Sequence, residues 1–297
     1  MAGVRDCLVA RVEVGATATD VGIAKGDVDV RQCPGMSLDN PPGEQSRPQS
    51  RKLRCMFGGV QIAELWRYPV KSLQGERLDA VAVTADGLEG DRQFAIYDVE
   101  SGLGLTGRRV PELLFASARI RADGTAEITL PDGSLAGDDN TLSDWLGRSV
   151  ALRSAATEAA RRYENVVDFE HESTSEWKPF DGAARAFHDN PGARVSLVST
   201  ATMGSWDPRR FRANVLLDGE GEDSLVGSRV TLGEATLDVD MRIERCVMTT
   251  RAQAGGIGRD LDVLRTIARE RDACLAVGAL VIDQGTIRVG ETLGASQ

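Results

Sequence analysis

The sequence predicts a mainly β fold with some α, built as two β-barrel-like domains. The chain contains many short apolar runs separated by Gly, Pro, Asn and Asp turn signals, and only two segments with a helical period. Long helices do not alternate with the strands, which argues against a doubly wound parallel sheet. With 297 residues, of which 41% are hydrophobic, the chain is long enough for two domains of ordinary size.

The expected strands of the first half are short and bounded by turn residues. Pro69 follows the first strand and ends it, because proline cannot donate to a β-ladder. A short helix is expected at residues 141–146, with Asn140 as its N-cap and Gly147 as its stop. The strands expected around this helix cover residues 60–66, 78–84, 93–99, 115–120, 126–130 and 150–153.

The second half opens with a polar, weakly patterned stretch, residues 158–190, which we interpret as a long connection between the two domains. A hairpin is expected around Gly233-Glu234, a two-residue turn signal. A helix is expected at residues 260–271, because its apolar residues recur at helical spacing. The remaining expected strands cover residues 194–198 and 211–217, and a closing hairpin at 279–282 and 286–289.

The composition narrows the classes of partner and compartment. A net charge of -10 makes nucleic acid an unexpected partner. The five cysteines are odd in number and irregularly spaced, unlike the framework of a secreted disulfide protein. No apolar run reaches the roughly 18 residues of a membrane span, and the N-terminus lacks the pattern of a secretory signal. We therefore expect a cytoplasmic protein without a membrane span.

The first 57 residues differ from the rest of the chain. Between residues 28 and 54, four prolines interrupt a stretch rich in Gly, Ser, Gln and Arg that has no strand or helical period. Such a composition cannot bury enough apolar surface to offset the entropy lost on ordering. We expect residues 1–57 to be a disordered tail or a misassigned start, with Met56 as the natural first residue. Cys7, Cys33 and Cys55 lie in this segment and are assigned no chemistry.

The chemistry of the chain centres on Cys246, which directly follows Arg245 within a strand-like run. A thiolate is a soft metal ligand, and a neighbouring guanidinium favours its charged form. One cysteine cannot build a zinc site alone, so a metal at Cys246 requires further ligands that arrive with a cofactor. On spacing alone, the alternative is that Cys246 is a buried small hydrophobe without chemistry.

Other catalytic patterns are absent from the sequence. It has no G-x-S-x-G elbow, no phosphate loop and no H-E-x-x-H pair. Its two histidines, His171 and His188, have no triad around them, and we interpret His188 as structural rather than as a ligand-orienting group. A set of cations and hydroxyls at strand ends remains, and such groups suit a phosphorylated ligand with many hydrogen-bonding atoms.

Four segments resemble the MOSC family. Residues 65–72 (LWRYPVKS) resemble the opening of the MOSC N-terminal β-barrel domain. Residues 211–215 (FRANV), 245–250 (RCVMTT) and 285–290 (GTIRVG) resemble the MOSC domain itself, in the family's order and spacing. The resemblance implies a MOSC N-terminal domain at 58–170 and a MOSC domain at 171–297. It is strongest to the mitochondrial amidoxime reducing component and to bacterial reductases of N-hydroxylated compounds.

The resemblance implies that the molybdenum cofactor, a metal held by a pterin dithiolene, binds between the two domains. Cys246 would be both the metal ligand and the catalytic residue. The remaining contacts to the cofactor, by motif position, would come from Lys71, Ser72, Arg92, Ser199, Thr202, Arg212, Asn214 and Arg245. Cys274 is expected to be structural.

The sequence also departs from the family pattern. Metazoan members have Val-Asp-Pro after the Thr-Thr pair, whereas this chain continues with residues 251–256 (RAQAGG). The resemblance therefore does not predict which residues form the rim of the substrate site. A C-terminal ferredoxin-like extension with four cysteines is also absent. The resemblance therefore implies a separate electron donor, of the ferredoxin or flavoprotein reductase type.

Three functions remain open at this stage. The leading one is an oxidoreductase that reduces small N-oxygenated compounds with electrons from a separate protein, the hard chemistry belonging to the cofactor. The second is a cofactor carrier or a sulfur-transfer protein that uses Cys246 as a persulfide or metal-binding cysteine. MOSC domains also occur in cofactor sulfurases, whose pyridoxal phosphate domain is not present here. The third is a binding module with an inert Cys246.

Overall fold

The computed structural model describes residues 59–158, 161–168, 171–172 and 174–295. All of them fall within one compact unit, residues 48–297. The tail or misassigned start expected at residues 1–57, with its three cysteines, lies outside the described residues.

The described residues form short strands and few helices, which confirms the mainly β class. Three α-helices are present in this part of the chain: α1 (Asp139–Leu146), α2 (Thr200–Met203) and α3 (Asp262–Arg271). Short 3-10 helices cover Pro111–Phe115, Pro208–Arg210, Glu222–Leu225 and Val247–Thr250. The strands are β1 (Gln61–Arg67), β2 (Glu76–Leu78), β3 (Ala80–Thr84), β4 (Gly87–Leu88), β5 (Phe94–Asp98), β6 (Ser117–Ile120), β7 (Ala126–Thr129), β8 (Leu135–Ala136), β9 (Val150–Ser154), β10 (Arg162–Val166), β11 (Trp177–Asp181), β12 (Val195–Ser199), β13 (Val215–Asp218), β14 (Ser228–Leu232), β15 (Ala235–Glu244), β16 (Cys274–Asp283), β17 (Gly285–Arg288) and β18 (Leu293–Ala295).

The largest sheet has the strand order β18-β14-β15-β16-β12-β13-β1-β2. Strand β1 is antiparallel to β13, and β12 is parallel to β13. Ile62 and Leu65 of β1 are fully buried in the same core as Val215, Leu217 and strands of the second half. Hydrogen bonding therefore runs between the first strands of the chain and its C-terminal sheet. The domain limits at 170 and 171 stay a prediction.

A second core lies under the smaller sheets of the first half. Strands β5 and β9 pair with each other, and β6, β7 and β8 form a meander. Val70, Leu73, Ile96 and Leu113 are buried together between these strands and α1. The segment of residues 68–73 consequently passes from the first core to the second, and its polar residues lie where the two cores adjoin.

Several local expectations are confirmed. The hairpin at Gly233-Glu234 joins β14 to β15, with Leu232 opposite Ala235. Gly147 ends α1 in the left-handed conformation, at φ 63°. The N-cap of α1 was placed wrongly: Asp138, not Asn140, accepts from the Thr141 amide at 2.8 Å. An aspartate two residues earlier can reach the free amide of the first turn equally well.

Two expectations about pairing are wrong. The stretch of residues 158–190 contains the hairpin of β10 and β11 and is not a plain connection. The strand at residues 285–288 does not fold back on β16 but pairs with β3. Period and turn signals identify a strand, whereas its partner depends on contacts distant in sequence. Among the described helices, none is long and apolar enough to cross a bilayer.

Candidate functional site

Cys246 is half-buried where β15 gives way to the 3-10 helix Val247–Thr250. The two threonine hydroxyls close this turn: Thr249 donates to the Cys246 carbonyl at 3.0 Å, and Thr250 donates to the Val247 carbonyl at 2.8 Å. Arg245 is fixed by its donation to the carbonyls of Leu275 (2.6 Å) and Phe211 (2.9 Å). The RCVMTT segment thus holds its thiol on a rigid turn.

A chain of polar contacts joins Cys246 to the first half of the protein. Arg108 Nε donates to Cys246 Sγ at 3.3 Å, and Arg108 Nη2 donates to the carboxylate of Asp189. Lys71 Nζ donates to the other oxygen of Asp189 and to the Phe187 carbonyl at 3.0 Å. Lys71 also lies 4.3 Å from the centroid of the Tyr163 ring. Lys71 and Cys246 therefore belong to one site.

Burial and ion pairing together set the pKa values of the three groups in this network. It lowers the pKa of Lys71 to about 8, although Asp189 opposes the shift. Burial works against the charge of Asp189 too, but Arg108 and Lys71 outweigh it and hold the pKa of Asp189 well below its usual range. Asp189 and Cys246 likewise raise the pKa of Arg108 above its ordinary value, against the effect of burial. At neutral pH the three groups form an ionised cluster.

Arg92 and Arg212 form a second layer around Tyr68. Their guanidinium carbons lie 4.7 Å and 4.3 Å from the Tyr68 ring centroid. Arg92 Nη2 donates to the Arg212 carbonyl at 3.0 Å, and Arg212 Nη1 donates to the Leu73 carbonyl at 2.6 Å. Ser72, Arg92 and Arg212 all have positive φ, at 71°, 50° and 53°. Such backbone is uncommon for these residue types and tends to occur at binding sites.

Buried guanidinium donors without partners mark this site. Within the described residues, Arg108 Nη1, Arg212 Nη2 and Arg245 Nη2 are buried and lack a hydrogen-bond partner. Burial lowers the pKa of Arg212 and of Arg245 to about 10 each. Buried donors and buried positive charge both cost free energy, and an anionic ligand with several acceptor oxygens would offset both costs. The residues present therefore fit a phosphorylated pterin with a soft metal beside Cys246.

Asn214 and Ser72 have protein partners in the structure. Asn214 accepts from Ser196 and donates to the Trp66 carbonyl and to Asp91 Oδ2, so its amide has no donor left for a ligand. Ser72 Oγ accepts from the Gly107 amide at 2.9 Å. This geometry favours a positioning role for both, and direct contact with a cofactor stays a prediction.

No contact in the described part of the chain joins Ser199 or Thr202 to Cys246. Ser199 is the last residue of β12, three residues beyond the position that bonds Asn214. Thr202 donates to Glu222, which also lies near Arg271. The assignment of Ser199 and Thr202 to the cofactor site stays a prediction, and the hydrogen bonds described above do not support it.

Two acidic residues at the site were not among the predicted site residues. Asp189 bridges Lys71 and Arg108. The sequence analysis names only its neighbour His188, as a structural rather than a ligand-orienting group. Asp91 is fully buried and accepts from the Tyr68 amide at 2.7 Å and from Arg92 at 2.6 Å. An Asp directly before an Arg at a turn is a weak signal, because exposed pairs of this kind are common.

The described residues contain no group of three or more His, Cys, Asp or Glu that could hold a metal ion. Protein ligands alone therefore do not assemble a site of the zinc type around Cys246 in this part of the chain. Cys274 is half-buried and free, and burial raises the pKa of its thiol.

Comparison with known protein families shows which family the chain belongs to. The MOSC N-terminal beta barrel domain matches residues 59–172, and the MOSC domain matches residues 181–294. The chain belongs to the MOSC-domain family. Its fold class and the four motif segments are thereby accounted for by one family.

Known relatives of this MOSC protein include a molybdenum cofactor sulfurase and amidoxime reducing components. It is 28% identical over 80% of its length to a molybdenum cofactor sulfurase of Drosophila grimshawi, but spans only 34% of that protein. It is 25% identical to mitochondrial amidoxime reducing component 2 of Bos taurus, with 76% of each chain covered. It is 26% identical to mitochondrial amidoxime-reducing component 1 of Mus musculus, covering 86% of this chain and 87% of that one. These matches give no support for pyridoxal phosphate binding.

Proposed function

We propose that this MOSC protein binds the molybdenum cofactor and reduces small N-oxygenated compounds with electrons from a separate donor protein. One observation carries the proposal: Arg108, which contacts the half-buried Cys246 on its rigid turn, shares with Arg212 and Arg245 a buried guanidinium nitrogen that has no partner. The relatives named as amidoxime reducing components, which align over most of their length, support the same reaction class.

Each side chain has a distinct part in the proposed site. Cys246 would supply the soft protein ligand to the metal, with Arg108 stabilising the thiolate. Arg212 and Arg245 would hold the anionic oxygens of the cofactor through their free donors. A bound molybdenum cofactor would supply the metal and the two-electron chemistry.

The proposed reaction also consumes protons. An N-hydroxylated compound, R–NHOH, takes up two electrons and two protons and yields R–NH2 and water. Lys71 is suited to hold a proton at its Nζ atom, because its pKa of about 8 lies close to neutral pH. Asp189, held ionised, would position Lys71 and compensate its charge. The proposed electron donor is a protein of the ferredoxin or flavoprotein reductase type, and the proposed substrates are small N-oxygenated compounds.

A second candidate is a cofactor carrier or sulfur-transfer role, which the match to a molybdenum cofactor sulfurase favours. In this case the Cys246 thiolate would attack the outer sulfur of a donor persulfide, forming a persulfide on Cys246 and releasing the donor thiolate, or Cys246 would hold the metal without turnover. The chain spans about a third of the length of that sulfurase.

The deciding experiment is to purify the protein and measure molybdenum and pterin content, then follow reduction of an aromatic amidoxime with reduced methyl viologen as artificial donor. We expect near-stoichiometric metal and turnover in the wild type, and loss of turnover in Cys246→Ser. Cys274→Ser is the matched control, since Cys274 is the other half-buried free cysteine of the described residues. Full cofactor content without turnover would favour the carrier role. Protein without pterin would contradict both the reductase and the carrier role and leave only sulfur transfer.

A further inference from the structure

Arg251 directly follows the 3-10 helix Val247–Thr250, and its side chain contacts the loop that carries Arg108. One nitrogen, Arg251 Nη2, donates both to the Arg108 carbonyl at 2.6 Å and to Glu172 Oε2 at 2.7 Å. Arg251 is only 7% exposed. A charge buried this deeply loses its water and needs a counter-charge, which Glu172 supplies. Arg251 and Glu172 therefore form a largely buried ion pair, and the nitrogen that joins them also holds the backbone of Arg108.

The contacts of Arg251 close a cycle that includes the Cys246 sulfur. The backbone amide of Arg251 donates to the Met248 carbonyl at 3.2 Å. The Thr249 amide donates to the Cys246 carbonyl at 3.1 Å, so the turn is fixed from Cys246 to Arg251. From Arg251 the cycle passes through the Arg108 carbonyl to Arg108 Nε, which donates to Cys246 Sγ at 3.3 Å. The distance between the Arg108 guanidinium and the sulfur therefore depends on Arg251.

Arg108 is held at two places, and Arg251 provides one of them. Asp189 accepts from Arg108 Nη2, and the Phe180 ring centroid lies 5.3 Å from its guanidinium carbon. Both of these partners act on the end of the side chain. Among the hydrogen bonds of the described residues, the one from Arg251 is the one that reaches the Arg108 main chain. A displacement of about 1 Å is enough to lose much of the effect of a positioned group, so both holds are needed to keep Arg108 on the sulfur.

We infer that Arg251 is a positioning residue: by holding the Arg108 carbonyl, with Glu172 as its counter-charge, it keeps the Arg108 guanidinium on the Cys246 sulfur. This role rests on the proposed function, in which Arg108 stabilises the Cys246 thiolate. Within the described part of the chain, Arg251 makes no hydrogen bond to Cys246 Sγ, so its effect is transmitted through Arg108. Loss of Arg251 should change the surroundings of the sulfur only while Arg108 is present.

The test measures the positive charge beside the sulfur and needs neither molybdenum nor turnover. The full-length protein is produced in a host that cannot make the molybdenum cofactor, so Cys246 is free to react whether or not the proposed function holds. Alkylation of Cys246 by iodoacetate, an anion, and by iodoacetamide, which is neutral, is followed by mass spectrometry of its peptide. In both reactions the same thiolate displaces iodide, so the ratio of the two rates is independent of the fraction of thiolate.

Two paired substitutions make the comparison. Arg251→Met with Glu172→Gln removes both charges of the ion pair, so the net charge is unchanged and neither charge is left buried alone. Arg67→Met with Glu76→Gln is the matched control, because Arg67 donates to the Glu76 carboxylate at 2.9 Å and to a backbone carbonyl at 3.1 Å. None of the described hydrogen bonds of Arg67 reaches Arg108 or residues 246–251. Both pairs are also made in the Arg108→Gln background, and melting temperatures establish that each variant is folded.

We expect Arg108→Gln to lower the ratio of the iodoacetate rate to the iodoacetamide rate about fivefold, the factor that corresponds to the attraction between unit charges about 4 Å apart in water. The paired substitution of Arg251 and Glu172 should lower this ratio at least about twofold, and should have no further effect in the Arg108→Gln background. The control pair should leave the ratio unchanged in both backgrounds.

A wild-type ratio in the variant of Arg251 and Glu172, or an equal fall in both backgrounds, would overturn the inference. If this variant does not fold, Glu172→Ala decides. Loss of a carboxylate raises the ratio through charge alone, whereas loss of the hold on Arg251 lowers it. A fall in Glu172→Ala supports the positioning role, and an unchanged or higher ratio overturns it. The proposed function is tested separately by metal content and turnover, so the two can fail independently.

Discussion

Arg108 Nε donates to Cys246 Sγ across 3.3 Å, although the two residues are 138 positions apart in the sequence. Arg108 is itself fixed by Asp189 and lies 5.3 Å from the Phe180 ring centroid. A fixed guanidinium beside a sulfur favours the thiolate, which is the form that binds metals and attacks electrophiles.

The first prediction follows from this contact. Arg108→Gln should slow the alkylation of Cys246 by iodoacetamide at pH 7, because the reacting sulfur loses the guanidinium that donates to it. Arg109→Gln is the control, since Arg109 is paired with Glu164 and stacks on Trp177. The rate is read by mass spectrometry of the Cys246 peptide. An unchanged rate in Arg108→Gln would show that this contact does not activate the thiol.

The second prediction concerns Lys71 and pH. Its pKa of about 8 means that Nζ is protonated below this pH and loses its proton as the pH rises through it. Turnover in the proposed reaction should therefore fall as the pH rises through about 8. Lys71→Arg, which stays charged, should lack this fall even if its maximal rate is lower. A profile that is identical in both proteins would remove Lys71 from the proton path.

The sequence predicts much of the fold and part of the site, for identifiable reasons. The hairpin at Gly233-Glu234 and the helix ending at Gly147 were predicted because a local turn or cap encodes them. The pairing of β17 with β3 was not, because it joins residues about 200 positions apart. Arg108 belongs to the set of cations near strand ends in the sequence, but nothing in the sequence pairs it with Cys246, and only the fold brings the two together. Asp189 becomes recognisable only when both of its cationic partners are in place.

The third prediction concerns acid stability. His188 is 6% exposed, and burial lowers its pKa to about 4, with Asp91 opposing the shift and Arg92 adding to it. An unfolded histidine binds a proton near pH 6.5, so between about pH 6.5 and 4 the unfolded state binds more protons than the folded state. The free energy of unfolding should therefore fall in this window as the pH is lowered, by up to about 3 kcal/mol from this residue.

Urea denaturation at pH 7 and pH 4.5 measures this effect. In His188→Gln the drop between the two pH values should be smaller than in the wild type, because the titrating group is gone. Glutamine keeps a donor for the Asp86 carbonyl, which His188 Nε2 contacts at 3.3 Å. Equal drops in the two proteins would assign the acid sensitivity to other groups.

The fourth prediction separates binding of the cofactor from its chemistry. Arg212→Ala should lower the pterin content of the purified protein, because it removes a buried donor that has no protein partner. Arg119→Ala is the control, since Arg119 is exposed on β6 and paired with Glu127. Cys246→Ser should retain more pterin than Arg212→Ala, because serine removes the soft ligand but leaves the guanidinium contacts. The opposite order would place the main binding energy on the thiolate.

The last prediction concerns Asp91, whose carboxylate connects three parts of the site. It is fully buried, and it accepts hydrogen bonds from the Tyr68 amide, from Arg92 at 2.6 Å and from Asn214 at 3.1 Å. Asp91→Asn leaves Arg92 without its buried counter-charge and points a second amide at Asn214, so the free energy of unfolding should fall by about 3 kcal/mol or more.

Asp132→Asn is the control, because Asp132 is exposed and bonds only Ser134 of its own turn among the described contacts. It should leave the free energy of unfolding nearly unchanged. Both values come from urea denaturation at pH 7. A loss in Asp91→Asn no larger than that in the control would mean that the Asp91–Arg92 pair does not hold this part of the site together.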